Sequence, residues 1–247
     1  MRRALERRAV TGDGRARGRG FARARGHARG LANPRASRRD ELLALQRAFS
    51  FDDAAVGVRV RRVASSEVRA CVDMIADAFA ETEDAKPRAY VLKYVIGLAA
   101  GEDAEEVGLV ARELASDGSC GDVIGFVTVS VSSRTRPVEG TREMAAPHDA
   151  AYLGNACVRA DRRRRGVGKV LVRAVEALVL EMGGCDVWLH VRAGEAPAMG
   201  LYAEAGYAET ARERSFALAG LFGGRAPSPR VLMRKELRAD GSCNFML

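Results

Sequence analysis

Between Tyr152 and Leu178 the chain passes from a strand-like run, Tyr152 to Val158, through Arg159-Ala-Asp-Arg-Arg-Arg-Arg-Gly166-Val-Gly168-Lys169 into Val170, Leu171, Ala174, Val175 and Leu178 at helical spacing. A helix start presents unpaired N–H groups and the positive end of its dipole, and glycines let a ligand approach the backbone, so this loop reads as a phosphate cradle. Two familiar cradles are excluded. A P-loop needs Gly where Arg163 stands, and Ser or Thr where Val170 follows Lys169. A dinucleotide fingerprint needs a third glycine where Leu171 stands. From this segment alone, the competing reading is a basic surface loop before an ordinary helix, or a nuclear-localisation-like arginine run.

The rest of the body alternates strands with helices, an α/β pattern. Val58 to Val63 reads as a strand, and Ser65 and Ser66 with Glu67 form a helix start. Val68, Cys71, Val72, Ile75 and Phe79 then make one apolar helical stripe. The acidic break from Glu81 to Asp84 reads as a solvated loop, with steering of a cationic substrate as the alternative. Pro87 suits the first turn of a second helix, whose predicted face is Val91, Leu92, Val95, Ile96 and Ala99. Val107, Leu109 and Ala111, and later Val127, Val129 and Val131, alternate as strands on either side of a turn at 116–121. Residues 134–149 read as a loop, Asp186 to Val191 as a strand, and Phe216 to Leu237 as two strands around a Gly and Pro loop at 220–229.

Charge is unevenly placed. Residues 1–39 hold 13 arginines against Glu6 and Asp13, a net +11, whereas the remainder holds 27 basic and 30 acidic residues, a net −3. The body therefore lacks the basic surplus of a nucleic-acid-binding fold, and no nucleic-acid partner is expected of it. The leader has no helical or strand periodicity and reads as disordered over 1–50. Its arginine-rich, acid-poor composition suits an organelle transit peptide, although it is short of hydroxyls; an RG-rich RNA-binding arm and an uninformative tail are the alternatives. The five cysteines are scattered and odd in number and form no CxxC pair, which favours a reducing compartment. No histidine is spaced with ligating neighbours, so no metal is expected. No apolar run is long enough to span a membrane, and none is expected as a partner.

Arg163-x-x-Gly166-x-Gly168 resembles the acyl-CoA pyrophosphate loop of the GCN5-related N-acetyltransferase (GNAT) superfamily. Downstream, Glu195-x-x-Ala198-x-x-Leu201-Tyr202-x-x-x-Gly206-Tyr207 resembles the superfamily's second motif at the expected distance. A short core helix with a tyrosine would explain each residue separately, but not both motifs in order. The resemblance runs over about 56–237. Within the superfamily, Tyr152-Leu-x-Asn155-x-Cys157-Val158 together with the basic leader looks like the plastid-targeted acetyltransferases of plants and algae. The resemblance implies a single domain at 56–238 with a central, mostly antiparallel mixed sheet flanked by helices, and a frayed tail at 239–247. It also implies a chloroplast location, with mitochondrion or cytoplasm as alternatives.

The implied chemistry is acetyl transfer from acetyl-CoA to protein N-terminal α-amines or lysine side chains, by direct attack in a ternary complex. A non-catalytic acyl-CoA sensor and an acetyltransferase of small amines are the other readings. The resemblance places the pantetheine and thioester along Ala156, Cys157 and Val158, and the phosphates at Arg163, Arg164, Arg165, Gly166, Val167, Gly168 and Lys169. Tyr202 is the candidate general acid for the CoA thiolate, or a packing tyrosine that orients the cofactor. His190 is a candidate base on the strand before it, or a satisfied structural histidine. Cys157 reads as inert packing rather than an acyl carrier. Glu195 departs from the family's usual Asn and brings negative charge near a polyanionic ligand.

Overall fold

Residues of alternate parity in the strands go to opposite faces of one sheet, and both faces are covered by helices. The computed structural model describes residues 34–82, 85–136, 144–213 and 228–238, the side chains of 34–38 excepted. The leader to residue 33, Glu83 and Asp84, and the 239–247 tail lie outside the described residues. In chain order the elements are α1 (Pro34–Ala48), β1 (Ser50–Asp53), β2 (Val58–Arg62), α2 (Val68–Phe79), α3 (Arg88–Ala100), β3 (Glu106–Leu114), β4 (Cys120–Ser130), β5 (Ala151–Val158), α4 (Val167–Glu181), β6 (Asp186–Arg192), α5 (Ala196–Glu204), β7 (Ala208–Arg212) and β8 (Arg230–Glu236). The strands form one sheet in the order β1-β2-β3-β4-β5-β6-β8-β7. Neighbours pair antiparallel except β5 and β6, which are parallel. This is the mixed, mostly antiparallel sheet with flanking helices that the sequence implied, within one compact unit that starts at Asn33.

One face packs Leu109 and Val127 of the strands against Leu171 and Leu178 of α4 and Leu42 of α1. The other packs Val110 and Phe126 against Cys71 of α2 and Val95 of α3. Gly125 lets α4 lie close: a Cβ there would stand 2.9 Å from a Leu171 methyl, 3.3 Å from Val167 Cγ1 and 3.3 Å from Ala111 Cβ.

Two expectations need correction. α1 and the first residue of β1 fall inside the stretch assigned to a disordered leader at 1–50; Leu42, Gln46 and Phe49 lie at i, i+4 and i+7 and are buried, which gives the helix a face to dock. In α3 the buried face is Val91, Val95 and Leu98, while Leu92 and Ile96 are exposed, because the helix is an outer layer with one side on the sheet and the other toward solvent. Of the two strands expected over Phe216 to Leu237, the second is β8, which pairs with β6 on one side and with β7 on the other, and the one near Phe216 lies outside the described residues.

Candidate active site

β5 and β6 are paired only at their first residues, Ala151 with Val187 and Tyr152 with Trp188. Beyond them β5 continues on β4, while β6 continues on β8 along its full length. The sheet parts along this seam, and a cleft of about 860 Å³ lies there, a size suited to a cofactor-scale ligand.

The β5 wall carries a bulge. Gly154 pairs with Thr128 and Cys157 with Phe126, so Asn155 and Ala156 together oppose Val127. Asn155 sits at φ 50°, a left-handed conformation that Asn tolerates better than most residues. Its side-chain amide donates to Tyr94 Oη and Thr128 Oγ1, each at 3.2 Å, which holds the bulge from behind. Asn155 and Ala156 line the cleft at this bulge, on the edge of β5 from which β6 has already parted.

The start of α4 forms one end. Gly166 caps it at φ 86°, following Arg164 at φ 62°. Gly168 allows α5 to approach, since a Cβ there would stand 3.1 Å from a Leu201 methyl. Of the residues expected to hold the cofactor, Ala156, Cys157, Val158, Arg163, Arg164, Gly166, Val167, Gly168 and Lys169 all line the cleft. Arg165 does not: it is exposed, and four consecutive residues of a tight turn cannot all face one side. Arg162 is held by Glu113 at 2.5 Å and Asp161 at 2.7 Å, and Lys169 by Glu204 at 2.6 Å. Arg163, whose Nε donates to Val158 O at 3.1 Å, and Arg164 form no ion pair among the described residues. Their charge is therefore available to an anion at the helix start. The exposed Glu195 also lines the cleft, opening α5.

Tyr202 of α5 and His190 of β6 line the cleft as well. Tyr202 is buried, and burial pushes its phenol up to about 12, with Cys157 adding to the effect. The Cys157 thiol is likewise pushed up to about 12 by burial, so it stays protonated and is a poor nucleophile. His190 Nε2 lies 2.7 Å from Met144 O, and Nδ1 lies 2.8 Å from Tyr152 Oη. A carbonyl can only accept, so Nε2 carries the proton; Nδ1 of the neutral ring then accepts from the Tyr152 hydroxyl. Burial holds His190 below the usual histidine range. Both ring nitrogens are thus engaged, and His190 has no lone pair of its own open to the cleft. Sequence reasoning missed Tyr152, although it stands in the quoted Tyr-Leu-x-Asn run; the parallel register that sets it beside β6 is a tertiary fact. Arg230 of β8 also lines the cleft and is paired with Glu213 at 2.7 Å.

Cys71, Cys120 and Cys157 carry free thiols, and Cys185 is disulfide-bonded, which the cysteine spacing did not anticipate. Among the described residues no cluster of three or more His, Cys, Asp or Glu is placed to hold a metal, and no helix is long and apolar enough to cross a membrane.

The acetyltransferase (GNAT) family profile matches residues 68–207. A search of the curated proteins found no match. Among solved structures, yncA from Salmonella typhimurium, determined with its cofactor acetyl-CoA, superposes with a TM-score of 0.57 at 15% identity, over 76% of this chain and 98% of that one. The ribosomal-protein-S18-alanine N-acetyltransferase of Escherichia coli gives 0.51 at 17% identity, over 73% and 94%. Spermidine N-acetyltransferase from Vibrio cholerae, with CoA and spermine, gives 0.53 at 15% identity, over 73% and 96%.

Proposed function

From a chain that belongs to the acetyltransferase (GNAT) family, we propose an enzyme that acetylates protein N-terminal α-amines in preference to lysine side chains. Acetyl-CoA, when bound, supplies an acetyl group activated as a thioester. The first-turn amides of Val167, Gly168 and Lys169, with Arg163 and Arg164, would hold its diphosphate. The backbone of Ala156, Cys157 and Val158 would hold the pantetheine arm, with an N–H polarising the carbonyl. The amine attacks directly in a ternary complex, since Cys157 keeps its proton. Tyr202, kept protonated by burial, gives its proton to the departing thiolate.

Proton removal from the amine is assigned to Tyr152 and His190 acting together. Because Nδ1 already accepts from Tyr152, a proton reaches His190 without breaking either hydrogen bond only by relay: Tyr152 is buried behind the residues that line the cleft, and the amine's proton, on reaching the Tyr152 oxygen, sends the Tyr152 proton on to Nδ1. The His190 alternatives of base and satisfied histidine thus become one residue in both roles. A histidine below its usual range is a weak base, which selects the acceptor. An α-amine titrates near roughly 7.8 and a lysine near roughly 10.4, so at neutral pH freeing a lysine costs about 3.5 kcal/mol more.

The observation that carries this reading is that one cleft collects the α4 start, the bulged strand, Tyr202 and His190. Rates on an N-terminal peptide and on a lysine peptide with a blocked N-terminus test it. The first should exceed the second by at least about tenfold, and His190→Ala should depress it by about 100-fold; equal rates on both peptides would overturn the preference. The arginine-rich leader is assigned to plastid import, which a fluorescent fusion of residues 1–39 tests by its location.

A further inference from the structure

We propose that Arg136 is a positioning residue that fixes the tautomer of His190 and so the direction in which the acceptor's proton travels. The inference rests on the relay just described. Arg136 follows the short turn Ser133–Thr135 after β4, and its guanidinium gathers the far side of the loop that leads into β5. Nη1 donates to Ala146 O at 2.9 Å. Nη2 donates to Pro147 O at 2.6 Å, His148 O at 3.1 Å and Ala150 O at 2.8 Å. Four carbonyls within five residues thus converge on one planar fork, which a lysine ammonium cannot reproduce. Two residues before this set stands Met144, whose carbonyl accepts from His190 Nε2. The same guanidinium carbon lies 5.8 Å from the centroid of the Tyr152 ring, the partner of the other nitrogen. Arg136 therefore holds the backbone that names the protonated nitrogen, and flanks the phenol that feeds the unprotonated one.

The consequence is chemical as well as structural. With Met144 O in place, the neutral ring keeps its proton on Nε2 and offers Nδ1 to Tyr152. If the carbonyl moves away, the Nδ1–H form becomes accessible; in that form the ring donates to Tyr152, and the relay has no terminal acceptor. A tautomer error of this kind costs rate without touching acetyl-CoA binding.

Nitrogen-15 spectra of the histidine rings, with His190 assigned by its absence in His190→Gln, test the inference on the full chain. The wild type should show a single Nε2–H tautomer when neutral. Arg136→Lys should show both tautomers and lose about tenfold or more in kcat, with the acetyl-CoA KM within about twofold. Arg136→Gln should behave alike. A single Nε2–H tautomer retained in both variants would overturn the proposal, as would a mixture with unchanged kcat. Should neither variant fold, the wild-type spectrum still decides, because an Nδ1–H or mixed ring in the wild type is incompatible with the assignment. If the wild type transfers acetyl to no amine, the catalytic reading fails by itself, while the spectra still judge what Arg136 does to the ring.

Discussion

Two buried side chains, Tyr202 at the seam and Glu106 at the start of β3, hold their protons for the same reason and to different ends. Tyr202 is pushed up to about 12 by burial, so it is a proton donor across the working pH range. Tyr202→Phe removes only the hydroxyl and should lower kcat by about 100-fold with little change in the acetyl-CoA KM; a fall in KM affinity with kcat intact would make the ring a packing element instead. Glu106 is the other case. Tyr94 Oη donates to its Oε1 at 2.5 Å and Ser130 Oγ at 3.2 Å, yet burial outweighs both and raises the carboxyl from 4.5 to about 7. Because the folded value lies above the unfolded one, the stability this group confers is whole below pH 4.5 and is lost as the pH rises through about 7. By pH 8 the loss amounts to about 3 kcal/mol. Glu106→Gln keeps the size and the acceptor oxygen but cannot ionise. In urea unfolding, the variant should therefore gain on the wild type by about this amount between pH 4.5 and 8; a pH-independent difference would show that the carboxyl ionises as freely folded as unfolded.

At the scale of elements, the phosphate end of the cleft depends on how closely α4 lies on β4. Gly125 is the spacer: a Cβ would come within 2.9 Å of Leu171 and 3.3 Å of Val167, both in the opening turns of α4. Gly125→Ala should lower stability by about 1–3 kcal/mol and weaken CoA binding several-fold by displacing the amides of that turn; calorimetry with CoA on a variant of reduced Tm reads both. The strand, loop and helix that build this end were legible in the sequence because their signals are local: period two in β5, glycines in the turn and period 3.6 in α4. The candidate site residues on them stood out for the same reason, down to Tyr202 on α5 and Gly206 just past its end. What was not legible is set by pairing across the sheet. The bulge at Asn155 needs β4 as a ruler, and Tyr152 meets His190 only because two parallel strands share their first two rungs before parting. α1 was hidden by composition: the arginines around it resemble the leader, and Leu42, Gln46 and Phe49 declare a face only once β1 and β2 give them something to cover.

For the whole molecule, charge separates into two regions with different work. Residues 1–33 carry 10 arginines against two acids, whereas residues 34–247 hold 30 basic and 30 acidic residues and are balanced. A balanced body offers no long-range attraction to a polyanion, so recognition of CoA phosphates has to be local, at the α4 start and the two arginines without carboxylate partners. At physiological salt the screening length is about 8 Å, which confines even the leader's field to its own neighbourhood. Removing residues 1–33 should therefore leave kcat/KM for acetyl-CoA within about twofold at 0.15 M salt, and should leave its modest salt dependence, carried by Arg163 and Arg164, unchanged. Binding of the full chain to RNA, where it occurs, should instead fall steeply with salt and vanish with the leader, because such affinity scales with the number of phosphates neutralised. Steady-state rates of the two chains across a salt series separate these terms. A kcat/KM that collapses on truncation would mean that the arginine-rich segment takes part in the acetyl-CoA site, and that the catalytic unit does not begin at the helix that opens the described chain.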